Sequence, residues 1–189
     1  VPVRVRWDGT TAEISKLSPS GLVPALVDHR FRAPLTIWDS LAICEYLAEC
    51  FPERQLWPAD REARAVARSV SAEMHSGFRP LRERLPMALL EIKPTKINDK
   101  EARADIARVT SLWREARQSW GEAAGGPWLF GHFTIADAMY APIVTRFRTY
   151  GTEVDPVSRA YMDTVLADPD FHAWEAQARI DPRQEPLPG

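Results

Sequence analysis

The stretch Ser18-Pro-Ser-Gly-Leu-Val-Pro-Ala-Leu26, with the later Trp38-Asp-Ser-Leu-Ala-Ile-Cys-Glu-Tyr-Leu47, decides how the first part of this chain folds. The first segment contains turn residues and then Val23-Pro24, at the entry of a predicted strand over residues 23–29. The second segment carries Asp39-Ser40 between a short predicted strand and a helix that Pro52 ends. Short strands beside a helix predict a small α/β unit.

The remainder of the chain has a different periodicity. Apolar residues recur at spacings of three and four, which is typical of amphipathic helices. The predicted helices cover residues 61–87, 99–121 and 134–149, and a last one follows Asp168-Pro169. The third is apolar nearly all round, and Pro142 inside it predicts a kink. We therefore predict an α/β domain over residues 1–56 and an all-helical domain over residues 57–189.

Composition excludes several classes of protein. The 189 residues are 45% hydrophobic and 26% charged, and the formal net charge is −2. This balance lacks the basic footprint of a nucleic-acid-binding protein, and no apolar run is long enough to span a membrane. Cys44 and Cys50 lie six residues apart on one predicted helix, which predicts free thiols and a reducing cytoplasm. The four histidines are scattered and form no metal-binding spacing.

Two dipeptides of the α/β unit have a possible binding role. If the Val23-Pro24 bond is cis, the Val23 N–H and C=O point into a groove where an extended peptide can pair with them. The alternative is a plain trans proline at a strand start. At a helix N-terminus, the Ser40 hydroxyl and N–H can hold a carboxylate, and Asp39 can accept from an ammonium group. The alternative for Asp39-Ser40 is an ordinary N-cap. Together the two dipeptides favour a site for a small peptide that carries a carboxylate.

The order of these segments resembles the glutathione transferase superfamily, and in particular a bacterial, zeta-like, serine-type member. The two stretches quoted above match, as does Phe133-Thr-Ile-Ala-Asp-Ala-Met-Tyr-Ala-Pro142, in which Thr134 and Asp137 fit a capping box. The resemblance implies a thioredoxin-like domain followed by a helical bundle. It also implies that Val23, beside Pro24, pairs with the cysteinyl backbone of glutathione, and that Asp39 and Ser40 hold the γ-glutamyl end.

The start of the chain departs from the family pattern. Members begin with a strand and helix bearing the Ser, Cys or Tyr that stabilises the glutathione thiolate, whereas this sequence matches from the second strand onward. We therefore expect an incomplete thioredoxin-like domain here, and a catalytic residue upstream of Val1. By the same resemblance, His75 and Arg79 are candidates for the second-substrate site. Arg146 is a further candidate, because zeta-class members carry an arginine for acidic substrates near this point, although Arg148 also fits.

The resemblance implies an enzyme that joins the glutathione thiolate to a small electrophile, with glutathione as cosubstrate and no metal. A cytoplasmic homodimer is expected, with neither nucleic acid nor membrane as partner. Two alternatives stay open. The first is a zeta-like, glutathione-dependent cis–trans isomerase, and the second is a non-catalytic binding module with the same fold.

Overall fold

The computed structural model describes residues 12–180, and the chain divides into two compact units between Gln55 and Leu56. The alternating apolar and cationic residues over 1–7 predict a strand, and the proline-rich residues 181–189 predict a loose tail; both segments lie outside the described residues.

The first unit contains a two-stranded antiparallel hairpin and a helix. Its elements are α1 (Ala12–Leu17), β1 (Ala25–Asp28), β2 (Leu35–Trp38), α2 (Ser40–Cys50) and a 3₁₀ turn (Pro52–Arg54). In the register of the hairpin, Ala25 lies opposite Trp38 and Asp28 lies opposite Leu35. Strand β1 is shorter than the predicted 23–29, because Pro24 has no N–H to donate to the ladder. Helix α2 ends two residues before Pro52, as its sequence predicts.

The second unit is helical. Its elements are α3 (Arg61–Ser76), α4 (Arg79–Arg84), α5 (Lys100–Ala116), a π turn (Arg117–Gly121), α6 (Ile135–Tyr150), α7 (Pro156–Leu166) and α8 (Pro169–Arg179). The predicted order, an α/β unit followed by an all-helical unit, is confirmed. None of the helices among residues 12–180 is both long enough and apolar enough to cross a membrane.

The single helix predicted over residues 61–87 is wrong, because the chain breaks at Gly77 and Phe78. A Cβ on Gly77 would lie 2.6 Å from the carbonyl oxygen of Glu73, and Phe78 has a positive φ of 60°. Pro80 is the second residue of α4. An N–H at this position would have no acceptor within the helix, so proline is tolerated there. Apolar residues keep their spacing of three and four on both sides of the break, so periodicity alone does not reveal it.

Helix α7 has no counterpart in the sequence prediction. Asp155 caps it by accepting from the Ser158 N–H at 3.1 Å, and Pro156 is its first residue. The same pattern, Asp168-Pro169, correctly predicts the start of α8. The signal for α7 was therefore present in the sequence at Asp155-Pro156.

Helix α6 forms the centre of the helical unit, as its apolar surface predicts. The fully buried Trp113 of α5 contacts three rings, with centroids 5.8 Å away at Tyr140, 5.5 Å at Phe147 and 5.0 Å at Tyr161. The capping box at Thr134 is also confirmed, since the Asp137 carboxylate accepts from the Thr134 N–H at 2.8 Å. The helix continues through Pro142, and the kink there stays a prediction.

Candidate functional site

The hairpin brings the two predicted dipeptides to one end of the sheet. The last pair of its register is Ala25 with Trp38, so Pro24 and Asp39 are the next residues beyond that pair on the two strands. The Val23-Pro24 bond is cis, as the peptide-binding interpretation requires. Val23 is 65% exposed, and no backbone hydrogen bond to it comes from residues 12–180. Within residues 12–180, the backbone of Val23 is therefore open to a further partner beside the start of α2.

Asp39 and Ser40 form the N-terminus of α2. Asp39 has a positive φ of 76°, and its Oδ1 accepts from the Leu41 N–H at 2.9 Å and the Ala42 N–H at 3.2 Å. These bonds are those of an N-cap, so the capping interpretation and the binding interpretation both apply to Asp39. The half-buried Ser40 makes no side-chain hydrogen bond to any residue between 12 and 180. Its hydroxyl and the positive end of the helix can receive an anion.

A charged cluster joins β1 to α2 and was missed by the sequence analysis. The Asp28 carboxylate, 8% exposed, accepts from the Arg30 guanidinium at 2.6 Å and from the Tyr46 hydroxyl at 2.5 Å. Hydrogen bonds from Arg30 and Tyr46 hold the pKa of Asp28 well below its usual value. The bond to Asp28 raises the pKa of Tyr46 to about 12. No motif signals this cluster, because its members lie up to eighteen residues apart.

The second-substrate candidates lie in the helical unit. His75 is exposed in the last turn of α3, and Arg79 is exposed at the start of α4, where it pairs with Glu83 at 2.7 Å. Arg146 is half-buried on α6, and no carboxylate among residues 12–180 lies within ion-pair distance of it. Arg146 donates to the Pro142 carbonyl oxygen at 3.3 Å, but unlike Arg79 it has no carboxylate partner in the described part of the chain.

A residue that the sequence analysis missed, Arg82, lies close enough to Arg146 for their charges to interact. Burial lowers the pKa of Arg146, and the positive charge of Arg82 acts in the same direction. Arg82 donates to the carbonyl oxygens of Met74 and Gly77, at the C-terminal end of α3. Two guanidinium groups whose charges interact, and which have no carboxylate partner in the described chain, are suited to attract an anion.

Arg148, the alternative to Arg146, has a structural role. It pairs with Glu175 at 2.7 Å, donates to the Leu89 carbonyl oxygen and lies over the Phe171 ring. Its charge is therefore already neutralised within the helical unit, which leaves Arg146 as the better candidate. No group of three or more histidine, cysteine or acidic side chains with the geometry of a metal site occurs in residues 12–180.

Comparison with protein-family models gives a match in each unit. Residues 1–50 match the N-terminal domain of glutathione S-transferase, and residues 65–176 match its C-terminal domain. A zeta-class glutathione S-transferase from Euphorbia esula is 30% identical, over 99% of this chain and 69% of that protein. A maleylacetoacetate isomerase from Mus musculus is 41% identical, over 98% of this chain and 81% of that protein.

A solved structure is similar across most of the chain. It is a glutathione transferase homologue from Burkholderia with bound glutathione, at 29% sequence identity and a TM-score of 0.61. The alignment covers 88% of this chain and 78% of that one. These matches confirm the predicted fold class, a thioredoxin-like domain followed by a helical domain, together with the resemblance to zeta-class proteins.

Proposed function

Because this chain belongs to the glutathione S-transferase family, we propose that it binds glutathione at the end of the β1–β2 hairpin and joins its thiolate to a small electrophile. The observation that carries this proposal is the register of the hairpin, which sets the cis Pro24 beside Asp39 and Ser40. Bound glutathione in the Burkholderia homologue supports it.

The cysteinyl and γ-glutamyl parts of the tripeptide each have a partner of suitable chemistry. The Val23 backbone offers an N–H and a C=O to the cysteinyl residue, as an added strand would require. Ser40 offers a hydroxyl and a helix N-terminus to the γ-glutamyl carboxylate. Asp39 offers carboxylate oxygen to the γ-glutamyl ammonium group. None of these groups lowers the pKa of a bound thiol, so the thiolate needs a further donor beyond them.

The decisive experiment is calorimetric titration of the full chain with glutathione. Replacing Ser40 with alanine removes one hydrogen bond to a charged group, which predicts a rise in Kd of at least about tenfold. Ser69→Ala is a matched control, because the Ser69 hydroxyl donates to the carbonyl oxygen of Ala65 in its own helix. If glutathione does not bind at millimolar concentration, the chain is a binding module of another kind and the proposal fails.

A second candidate function is the cis–trans isomerisation of an acidic substrate, with glutathione regenerated. Arg146 and Arg82 favour it, because an acidic substrate needs a cationic partner. The similarity to a maleylacetoacetate isomerase also supports it. His75 and Arg79 stay candidates for the edge of the same site. Turnover of an acidic diene without consumption of glutathione would assign isomerisation, whereas stoichiometric loss of the thiol would assign conjugation.

The proposal also covers the oligomeric state and the cellular location of the protein. We expect a homodimer, as is usual in this family. A reducing cytoplasm is supported by Cys44 and Cys50, which are both free thiols. Arg146 and Arg82 favour an electrophile that carries an anionic group.

A further inference from the structure

A cavity lies in the helical unit, lined by residues that have no part in the proposed glutathione and electrophile sites. Its volume is about 340 Å³, within the range that small ligands occupy. It is bounded by the segment before α6, the first half of α6 and the start of α8. We call it the aromatic cavity, and its principal residues are Trp128, Phe133, Asp168, Asp170, Phe171 and Trp174.

Four rings form much of its wall. Trp128 and Phe133 meet edge to face with centroids 5.2 Å apart, and Phe171 and Trp174 do so at 5.8 Å. Two of these rings remain open to solvent, since Phe133 is 43% exposed and Trp174 is 38% exposed. Large aromatic surface left in water beside a cavity indicates that a ligand can gain free energy by covering it.

The charges that line the aromatic cavity have one sign. Its ionisable residues are Asp137, Asp168 and Asp170, and neither lysine, arginine nor histidine is among the residues that line it. Asp137 is buried in the capping box, and Asp168 caps α8 by accepting from the Asp170 and Phe171 amides. The exposed Asp170 side chain has no hydrogen bond or ion pair to the described part of the chain. The cavity therefore combines aromatic walls with an available negative charge.

We propose that the aromatic cavity binds a quaternary ammonium compound with an apolar substituent. Aromatic faces attract cations, and Asp170 supplies the opposite charge. A quaternary ammonium fits better than a primary one, because an –NH₃⁺ group has three donors to satisfy and the other two carboxylates are already engaged. The Phe171 ring already accepts the Arg148 guanidinium at 5.4 Å, so Trp128, Phe133 and Trp174 supply the faces for the ligand.

The test is calorimetric titration of the full chain with benzyltrimethylammonium, benzylammonium and benzyl alcohol. The three probes share a benzyl group and differ in charge and in N–H donors. We expect benzyltrimethylammonium to bind with a Kd below about 10 mM, and the other two to bind several-fold more weakly. Equal binding of benzyl alcohol, or no heat from the quaternary probe, would overturn the proposal.

Two variants test whether benzyltrimethylammonium binds in the aromatic cavity. Trp174→Leu removes an exposed ring and should weaken benzyltrimethylammonium binding roughly tenfold, and Asp170→Asn should weaken it several-fold. Asp163→Asn is the control, because Asp163 is an exposed carboxylate of α7 outside the cavity. Circular dichroism and glutathione titration check that each variant is folded. Affinity that is unchanged in Trp174→Leu would place the cation elsewhere and refute the assignment.

Discussion

At the scale of single residues, the arginine pair of the helical unit is the feature with the most direct chemical consequence. Guanidinium groups repel each other, and burial raises the free energy of a charged group that has no partner. Arg146 has both disadvantages, since it is half-buried and lies near Arg82. A bound carboxylate would relieve both, which is why we assign an anionic group to the second substrate.

This assignment predicts a selective kinetic defect. Arg146→Gln should lower kcat/KM for monoethyl maleate about 10- to 100-fold, which is the range for a lost hydrogen bond to a charged group. The kcat/KM for diethyl maleate should change little. The two electrophiles differ by one carboxylate, and glutathione conjugation of each is followed separately. Arg61→Gln is a suitable control, as Arg61 is exposed at the start of α3. An equal loss with both esters would argue for a structural role of Arg146.

At the scale of secondary-structure elements, the Asp28 cluster connects the hairpin to α2. Asp28 ends β1, while Tyr46 and Cys50 lie on α2, and Arg30 donates to all three side chains. The residues that we propose for glutathione lie just before β1 and at the start of α2, so this cluster fixes the two elements that follow them. It is a positioning device, and none of its members is expected to contact glutathione.

The cluster should make the hairpin and α2 sensitive to pH. Because the pKa of Asp28 is lowered from its usual 3.8, its stabilising effect is full above that value and is lost as the pH falls through the depressed pKa. Asp28→Asn should therefore speed amide exchange in residues 25–28 and 40–50 at pH 7, compared with wild type at the same pH. The difference should shrink as the pH falls below about 4. Glu49→Gln, an exposed change on α2, should show no such pattern, and a pH-independent difference would contradict the mechanism.

At the scale of the whole molecule, the chain joins two units of different kinds. The described part of the first unit exposes several large apolar side chains, among them Leu22, Phe31 and Trp38, which are 69%, 53% and 46% exposed. Exposed apolar surface of this kind favours association with another protein surface. It is consistent with the homodimer that we propose from the family.

The prediction for the whole molecule concerns its mass in solution. Sedimentation equilibrium at micromolar concentration should give twice the 21.4 kDa of one chain. The association should persist at high salt, because apolar burial is not screened as surface charges are. A mass of one chain throughout the accessible concentration range would exclude the homodimer and leave the glutathione proposal untouched.

The sequence alone predicted those features that depend on near neighbours. The turn before Val23, the start of α2 at Asp39, the capping box at Thr134 and the start of α8 all arise from contacts within a few residues. The family resemblance then related these local features to one another. Where sequence reasoning failed, as at Gly77, the periodic apolar pattern masked a break at which the backbone of Phe78 takes a positive φ.

Only the tertiary structure decided which distant side chains meet. Arg82 and Arg146 belong to different helices, Asp28 and Tyr46 belong to a strand and a helix, and the rings of the aromatic cavity come from separate segments. No local pattern encodes such pairs, because they depend on how helices and strands pack. The sequence by itself therefore predicted the order of the two units and the residues that we propose for glutathione, whereas packing decided which side chains line the proposed anion site and the aromatic cavity.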